Sequence, residues 1–410
     1  MIKQLLIIGF VWPEPTSSAA GERMLQLIEL FQSFNYNLHF ASAANSSDKT
    51  FDLKSKGIKK HSIALNHSSF DEFILQINPD VVLFDRFMTE EQYGWRVAEQ
   101  CPNAIRILDT EDFHGLRKAR EQALKAKVEV SIKHLQNDTT KRELASMYRC
   151  DLSLIISEAE IEVLRNQLHF EADLLHYIPF LISPQNLLHS NKLPKYSERQ
   201  HFITVGNFRH PPNYDALLYL KQEIWPFIRE QLPEAELHVY GAYESQKVTQ
   251  LHNEKEGFLI KGYVEDIHAV MKNAKVCLAP LRFGAGLKGK IVDALTNGTP
   301  CVMTPIAAEG MFGELLPNGF INDDALGFAK NAVDLYTSTD LWEQSSKNGF
   351  ISLKLRFDKA EHTRTFKKAL QHLEDNLETH RQQNFIGQML QHQTLQSTKY
   401  MSKWIEEKNR

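Results

Sequence analysis

The chain has 410 residues, with 47 basic against 51 acidic side chains, a formal net charge of −4 and 42% hydrophobic residues. That length holds two domains, and the apolar share can build a core in each. The near balance of charge excludes a general nucleic-acid surface, and no apolar run reaches the length that spans a bilayer.

The first segment, MIKQLLIIGF, is a short apolar stretch without a signal-peptide cleavage pattern, so a cytoplasmic protein is expected, with room for peripheral contact at the inner face of a membrane. Gln4 to Gly9 reads as a buried parallel strand, followed by the loop PEPTSSAAGERM and a helix from about Gly21 to Phe34. Ser17, Ser18, Ala19, Ala20 and Gly21 are small enough to let backbone approach a phosphate or an acceptor at the helix start. Arg23 either adds a charge there or lies on the helix surface. Further strands are expected at Leu38 to Ala41, Val81 to Phe84, Ile105 to Leu108 and Leu152 to Ile156. Asp85, Asp109 and Ser157 follow the ends of three of them. In open α/β sheets ligands sit at such ends, though each residue has equal claim to be a helix cap. The stretch LDTEDFHGLRKAR is dense in Asp109, Glu111, Asp112 and His114.

Residues 1–182 are expected to form the first Rossmann-like domain. Residues 183–200, rich in Ser, Pro, Asn and Lys, read as a linker. A second α/β domain over 201–350 has strands at Phe202 to Val205, Leu237 to Tyr240, Phe258 to Lys261, Lys275 to Leu281 and Pro300 to Thr304. Between its last two strands lies RFGAGLKGKIVDALTNG. Its glycines let backbone approach a ligand, and Lys288 and Lys290 place positive charge where a helix N-terminus presents free N–H groups. This is the chemistry of a diphosphate site. Gly284, Gly286 and Gly289 spell the dinucleotide fingerprint, and Gly284, Gly289 and Lys290 most of a P-loop. The P-loop lacks its Ser or Thr, because Ile291 follows the lysine. The dinucleotide reading lacks an acidic residue at the next strand end; Glu309 has the right count but lies beyond it. Residues 351–410 read as helices that return to the first domain. Their apolar positions (Phe385, Ile386, Met389, Leu390, Tyr400, Met401, Trp404, Ile405) recur at helical spacing and suit packing on the body, a protein partner or a membrane surface. Four cysteines without C-x-x-C spacing and 17 histidines without a motif such as H-E-x-x-H leave no metal or disulfide framework to expect.

Several segments in order, VGNFRHPPNYDALLYL, PEAELHVYGAY, the run from Ile260 to Met311 and DLSLIISEAEIEVL, resemble the family-4 glycosyltransferases. The resemblance covers most of the chain. It implies the GT-B architecture of two facing doubly wound domains with an interdomain cleft, retaining transfer from a UDP- or GDP-sugar, no permanently bound cofactor and no metal. It further implies that Asp293 holds the donor ribose. Arg209 with Lys288 and Lys290 would neutralise the diphosphate. Tyr263 and Val264 would flank the nucleobase, and Gly206 with the backbone of Gly284, Ala285, Gly286 and Leu287 would line the donor site. Asp112 and His114 would serve the acceptor side, and Ser18, Ala20 and Gly21 the facing loop. Glu309 and Gly310 lie in a loop that could close over the donor. The family typically carries two glutamates with seven residues between them; here the first position is Ala285 and the second Asp293. The expected activity is transfer of a hexose-type sugar to a hydroxyl of a glycan, lipid-linked or protein acceptor in glycan or cell-surface polysaccharide assembly. The alternatives are a non-catalytic nucleotide-sugar-binding scaffold subunit and another GT-B enzyme, such as an epimerase using Glu111 and Asp112.

Overall fold

A computed structural model describes residues 2–183 and 193–409, so positions 184–192 of the expected linker lie outside the described residues. Two all-parallel sheets organise the chain. The first contains β1 (Gln4–Gly9), β2 (Asn37–Ser42), β3 (Lys59–Ser62), β4 (Val81–Asp85), β5 (Ile105–Asp109), β6 (Leu152–Ile155) and β7 (Leu175–Tyr177), in the order β3-β2-β1-β4-β5-β6-β7. The second contains β8 (Gln200–Val205), β9 (Leu237–Tyr240), β10 (Phe258–Gly262), β11 (Ala274–Ala279), β12 (Cys301–Met303) and β13 (Gly319–Ile321), in the order β10-β9-β8-β11-β12-β13. Strand order reverses between β1 and β4 and again between β8 and β11, which opens a crevice at the carboxyl end of each sheet. These are two Rossmann-like domains facing one another in the GT-B arrangement.

The central strands are apolar on both faces because helices cover both. Leu5 to Ile8 on β1 are fully buried, their alternate side chains entering two separate cores. Strands β3, β7 and β13 were not expected from the sequence. Strand β3 (KKHS) is a polar edge strand, and β7 and β13 are three residues each.

The C-terminal helix Lys359–Gln383 inserts Phe366, Leu370 and Leu373 into the first domain's core beside Leu5, Ile7 and Phe31. The last helix, Phe385–Lys408, packs on the Phe87–Gln100 and Asp138–Arg149 helices. Its outer face leaves Phe385, Met389, Tyr400 and Trp404 exposed. The chain crosses between domains twice at one place: the Ile182 N–H donates to the Phe357 carbonyl (2.8 Å), and the Lys359 N–H donates to the Ile182 carbonyl (3.0 Å). Among the described residues no helix is long and apolar enough to cross a membrane.

Candidate active site

The two crevices face each other across a cavity of about 1000 Å³. Two helix N-termini converge on it. Ser18 caps the Ala19–Ser33 helix, its hydroxyl accepting from the Gly21 N–H at 3.1 Å. Opposite stands the Gly289–Thr296 helix, where a Cβ on Gly289 would come within 2.6 Å of the Ala19 Cβ. Glycine is required there by close approach of the other domain. Gly21 is required likewise, since a Cβ would strike the Glu14 backbone at 2.4 Å. Each N-terminus presents unpaired N–H groups and the positive end of a helix dipole.

The expected residues gather on this cavity. Ser18, Ala20, Gly21, Asp112, His114, Gly206, Arg209, Tyr263, Val264, Gly284, Ala285, Leu287, Lys288, Lys290 and Asp293 all line it. Gly286 does not. Its φ of +66° turns the loop so that its N–H donates at 2.7 Å to Glu160 of the first domain, a buried contact that removes this amide from the donor surface. Lys288 is 8% exposed, and its Nζ folds back on the carbonyls of Ala285 (3.0 Å) and Gly286 (2.5 Å). The Lys290 Nζ donates to Asn213 Oδ1 at 3.0 Å. Burial pulls both amines down to about 8. Arg209 lies over the Tyr243 ring, 3.9 Å from its centroid. Tyr263 donates through its hydroxyl to Thr16 across the cleft at 2.9 Å.

Asp293 is half-buried on the wall of the cleft. Burial, then the facing Glu22 carboxyl, holds its pKa well above the usual carboxylate range, and Glu22 is raised by burial too. Glu22 was missed from the sequence because it lies on the opposite domain, where no spacing relates it to Asp293. Ala285, at the position where the resemblance calls for glutamate, is 7% exposed and joins the first domain's apolar cluster.

On the first-domain wall, Asp112 pairs with Arg117, and burial is outweighed by Arg117 and His114, so its pKa falls well below the usual range. His114 Nδ1 lies 3.0 Å from the Asp112 carbonyl and 3.3 Å from Glu143, and these acids raise its pKa against the effect of burial. Arg23 is a correction. It is 1% exposed, and its Nε and Nη2 both reach Asp109 Oδ1 (3.1 and 2.8 Å) while Nη1 donates to the Ile178 carbonyl (2.7 Å). It therefore binds no donor phosphate and does not lie on the helix surface, and Asp109 serves as its buried counter-ion. Ser157 caps nothing with its side chain, and its buried Oγ has no hydrogen-bond partner among the described residues.

Cross-domain contacts hold the cleft together. Arg120 reaches Glu309 with Nη1 (2.8 Å) and Nη2 (2.5 Å) and donates to the Gly284 carbonyl (2.8 Å), so Glu309 already ties the loop after β12 to the facing domain. Tyr243 donates to Glu14, and Glu160 Oε1 accepts from Phe113 (2.7 Å) as well as Gly286. Glu160 sits inside the quoted segment DLSLIISEAEIEVL, where S-x-x-E spacing suggests a capping box instead.

Residues 199–338 match the family model described as Glycosyl transferases group 1. An uncharacterized 44.6 kDa protein in the cps region of Klebsiella pneumoniae is 25% identical over 183 residues, 42% of this chain; the chain spans less than half that relative's length, 46%. Among solved structures, sucrose-phosphate synthase from Thermosynechococcus elongatus is similar with a TM-score of 0.66 at 14% identity, covering 90% of this chain and 99% of that one. HepE of Anabaena in complex with UDP and glucose gives 0.64 at 14% identity, covering 90% and 100%. A glycosyltransferase from Rickettsia africae gives 0.64 at 12%, covering 92% and 99%. The chain thus has the GT-B fold, and its residues 199–338 match the model of the Glycosyl transferases group 1 family.

Proposed function

We propose that the chain moves a hexose-type sugar, with retention, from a UDP- or GDP-sugar to an acceptor hydroxyl in glycan or cell-surface polysaccharide assembly. The observation that carries this is the meeting of two helix N-termini with Lys288, Lys290 and Arg209 in one interdomain cleft. As the bond from the anomeric carbon to the diphosphate oxygen breaks, negative charge grows on the leaving group, and the dipoles and cations stabilise it most at that moment. The acceptor oxygen bonds to the anomeric carbon, its proton passes to a donor phosphate oxygen, and the nucleoside diphosphate leaves. Asp293 accepts the ribose hydroxyls, with Tyr263 and Val264 beside the base. Asp112 and His114 orient the acceptor. The acceptor is a glycan, free, lipid-linked or on protein, and the exposed face of the last helix is where a partner or a membrane surface would meet the enzyme.

Calorimetry and thermal shift with UDP, GDP and NADH test the donor site. At a hundredfold excess over Kd, the diphosphate that fits stabilises the fold by about 2.7 kcal/mol, and NADH does not. Asp293→Ala should weaken nucleotide binding about tenfold, the loss of one hydrogen bond. Unchanged affinity in that variant, or a shift with NADH alone, would defeat the assignment.

A further inference from the structure

The last helix, Phe385–Lys408, is held against the first domain by one face only. Gly387 lies so near the Tyr148 carbonyl that a Cβ there would come within 2.2 Å of it, and Ser402, 3% exposed, donates to Asn66 Oδ1 at 3.1 Å. Lys399 reaches Glu99, and Glu406 accepts from the Ser68 N–H at 3.1 Å. These contacts set the rotation of the helix about its own axis. They turn Phe385, Ile386, Met389, Tyr400, Met401 and Trp404 outward, each between 42% and 66% exposed. Three of these are aromatic rings of ~150–250 Å² apiece, so the face presents roughly 600 Å² of mostly apolar surface, at the upper end of what an ordinary monomer shows.

The face is its own complement. Phe385 to Met389 is four positions, Met389 to Tyr400 eleven, and Tyr400 to Trp404 four again, so the pattern reads the same from either end. Four and eleven residues are both close to whole helical turns, which keeps the four side chains on one stripe. A second copy of the helix laid antiparallel therefore sets Phe385 on Trp404 and Met389 on Tyr400, and a two-fold axis near Thr394 repeats both contacts. Ring on ring and thioether on ring are favourable pairs. No Asp, Glu, Lys or Arg occurs from Phe385 to Thr398, so no like charges meet at the axis. The same gap argues against an anionic bilayer, which holds an interfacial helix through lysines and arginines along its polar face. Covering both copies would remove roughly 1,200 Å² from water, the lower bound of a specific, stable interface.

We propose that the chain forms a two-fold dimer through antiparallel pairing of its last helices. None of these residues lines the interdomain cavity, so this dimer and the donor-site reading fail separately. Sedimentation equilibrium on the full chain from about 1 to 100 µM, the weak end of what such an area supports, should show monomer in exchange with dimer. Met389→Lys and Tyr400→Glu should each raise the dimer Kd about a hundredfold, since each change occurs twice in the interface. Both should leave nucleotide affinity at the wild-type value. The double variant, in which each new lysine faces the partner's new glutamate, should regain most of the dimer. Cysteine labels test the register directly, because all four native cysteines are buried. A short bismaleimide should join Phe385→Cys chains to Trp404→Cys chains in a mixture of the two, and should join neither to itself. A chain that stays monomeric over that range, a dimer indifferent to both charge substitutions, or cross-links between two Phe385→Cys chains overturns the proposal. So does flotation of the monomer with phosphatidylglycerol vesicles, which would give the face to a membrane.

Discussion

Glu160 shows how much one side chain can coordinate. A single carboxylate oxygen accepts the Phe113 N–H, next to Asp112 and His114, and the Gly286 N–H of the donor loop, each at 2.7 Å. It therefore registers acceptor-side and donor-side loops against each other. Burial, then the nearby Asp112 charge, lifts its pKa from 4.5 to about 8. Between those values the native state holds a proton that the unfolded chain has released. Stability from this group is complete below pH 4.5 and drains away as pH rises toward 8, by up to about 1.4 kcal/mol per pH unit. Glu160→Gln should flatten that decline in urea midpoints measured from pH 5 to 8 and keep the loop contacts, whereas Glu160→Ala should lower kcat with little change in donor KM. A midpoint profile identical to wild type in the Gln variant would contradict this. The sequence could not announce any of it. Glu160 and Gly286 are 126 positions apart, and Arg23 with Asp109 are 86 apart, so which polar residues become buried partners depends on how the sheets bring distant loops together.

At the scale of elements, legibility followed burial and length. The largely buried strands β1, β4, β5, β6, β8 and β11 stand out as apolar runs, and each was placed within a few residues of its observed span. Edge strand β3, with no apolar pattern, and the three-residue strands β7 and β13 gave no signal. The glycine loop was legible because its constraints are local: positive φ at Gly286 and a close approach at Gly289 require glycine. What the loop contacts was not legible, since Ala285 and Gly286 meet residues of the other domain. The lysines of this element make a testable prediction. With both amines drawn down to about 8 by burial, a bound diphosphate would raise them again, so binding takes up protons around and above that pH. Nucleotide affinity should fall as pH rises from 7.5 to 9.5, by up to about tenfold per unit for each lysine that must be charged. Lys290→Met should bind more weakly at pH 7 and show a shallower decline; a pH-independent Kd in wild type would remove the lysines from the diphosphate site.

For the whole molecule the decisive feature is that the chain leaves the first domain and comes back. It returns beside its exit point, through the ladder between Ile182, Phe357 and Lys359, so the two crossings form one narrow hinge. Contacts such as Arg120 with Glu309 and Glu14 with Tyr243 also join the two domains. The returning helix Lys359–Gln383 then completes the core of the domain that began at residue 4. Phe366 is fully buried and packs edge-on against Phe31 of the first helix, centroids 5.5 Å apart. The first domain's stability is thus set partly by residues encoded at the far end of the chain. Phe366→Ala should cost about 3–5 kcal/mol, the transfer and cavity terms of a buried aromatic ring. Hydrogen exchange should locate that loss in β1, β2 and β4, while amides of β8, β11 and β12 keep wild-type protection and nucleotide still binds, because the donor domain's own cores contain no residue of this helix. Equal loss of protection in both sheets would mean that the hinge couples the domains into one cooperative unit.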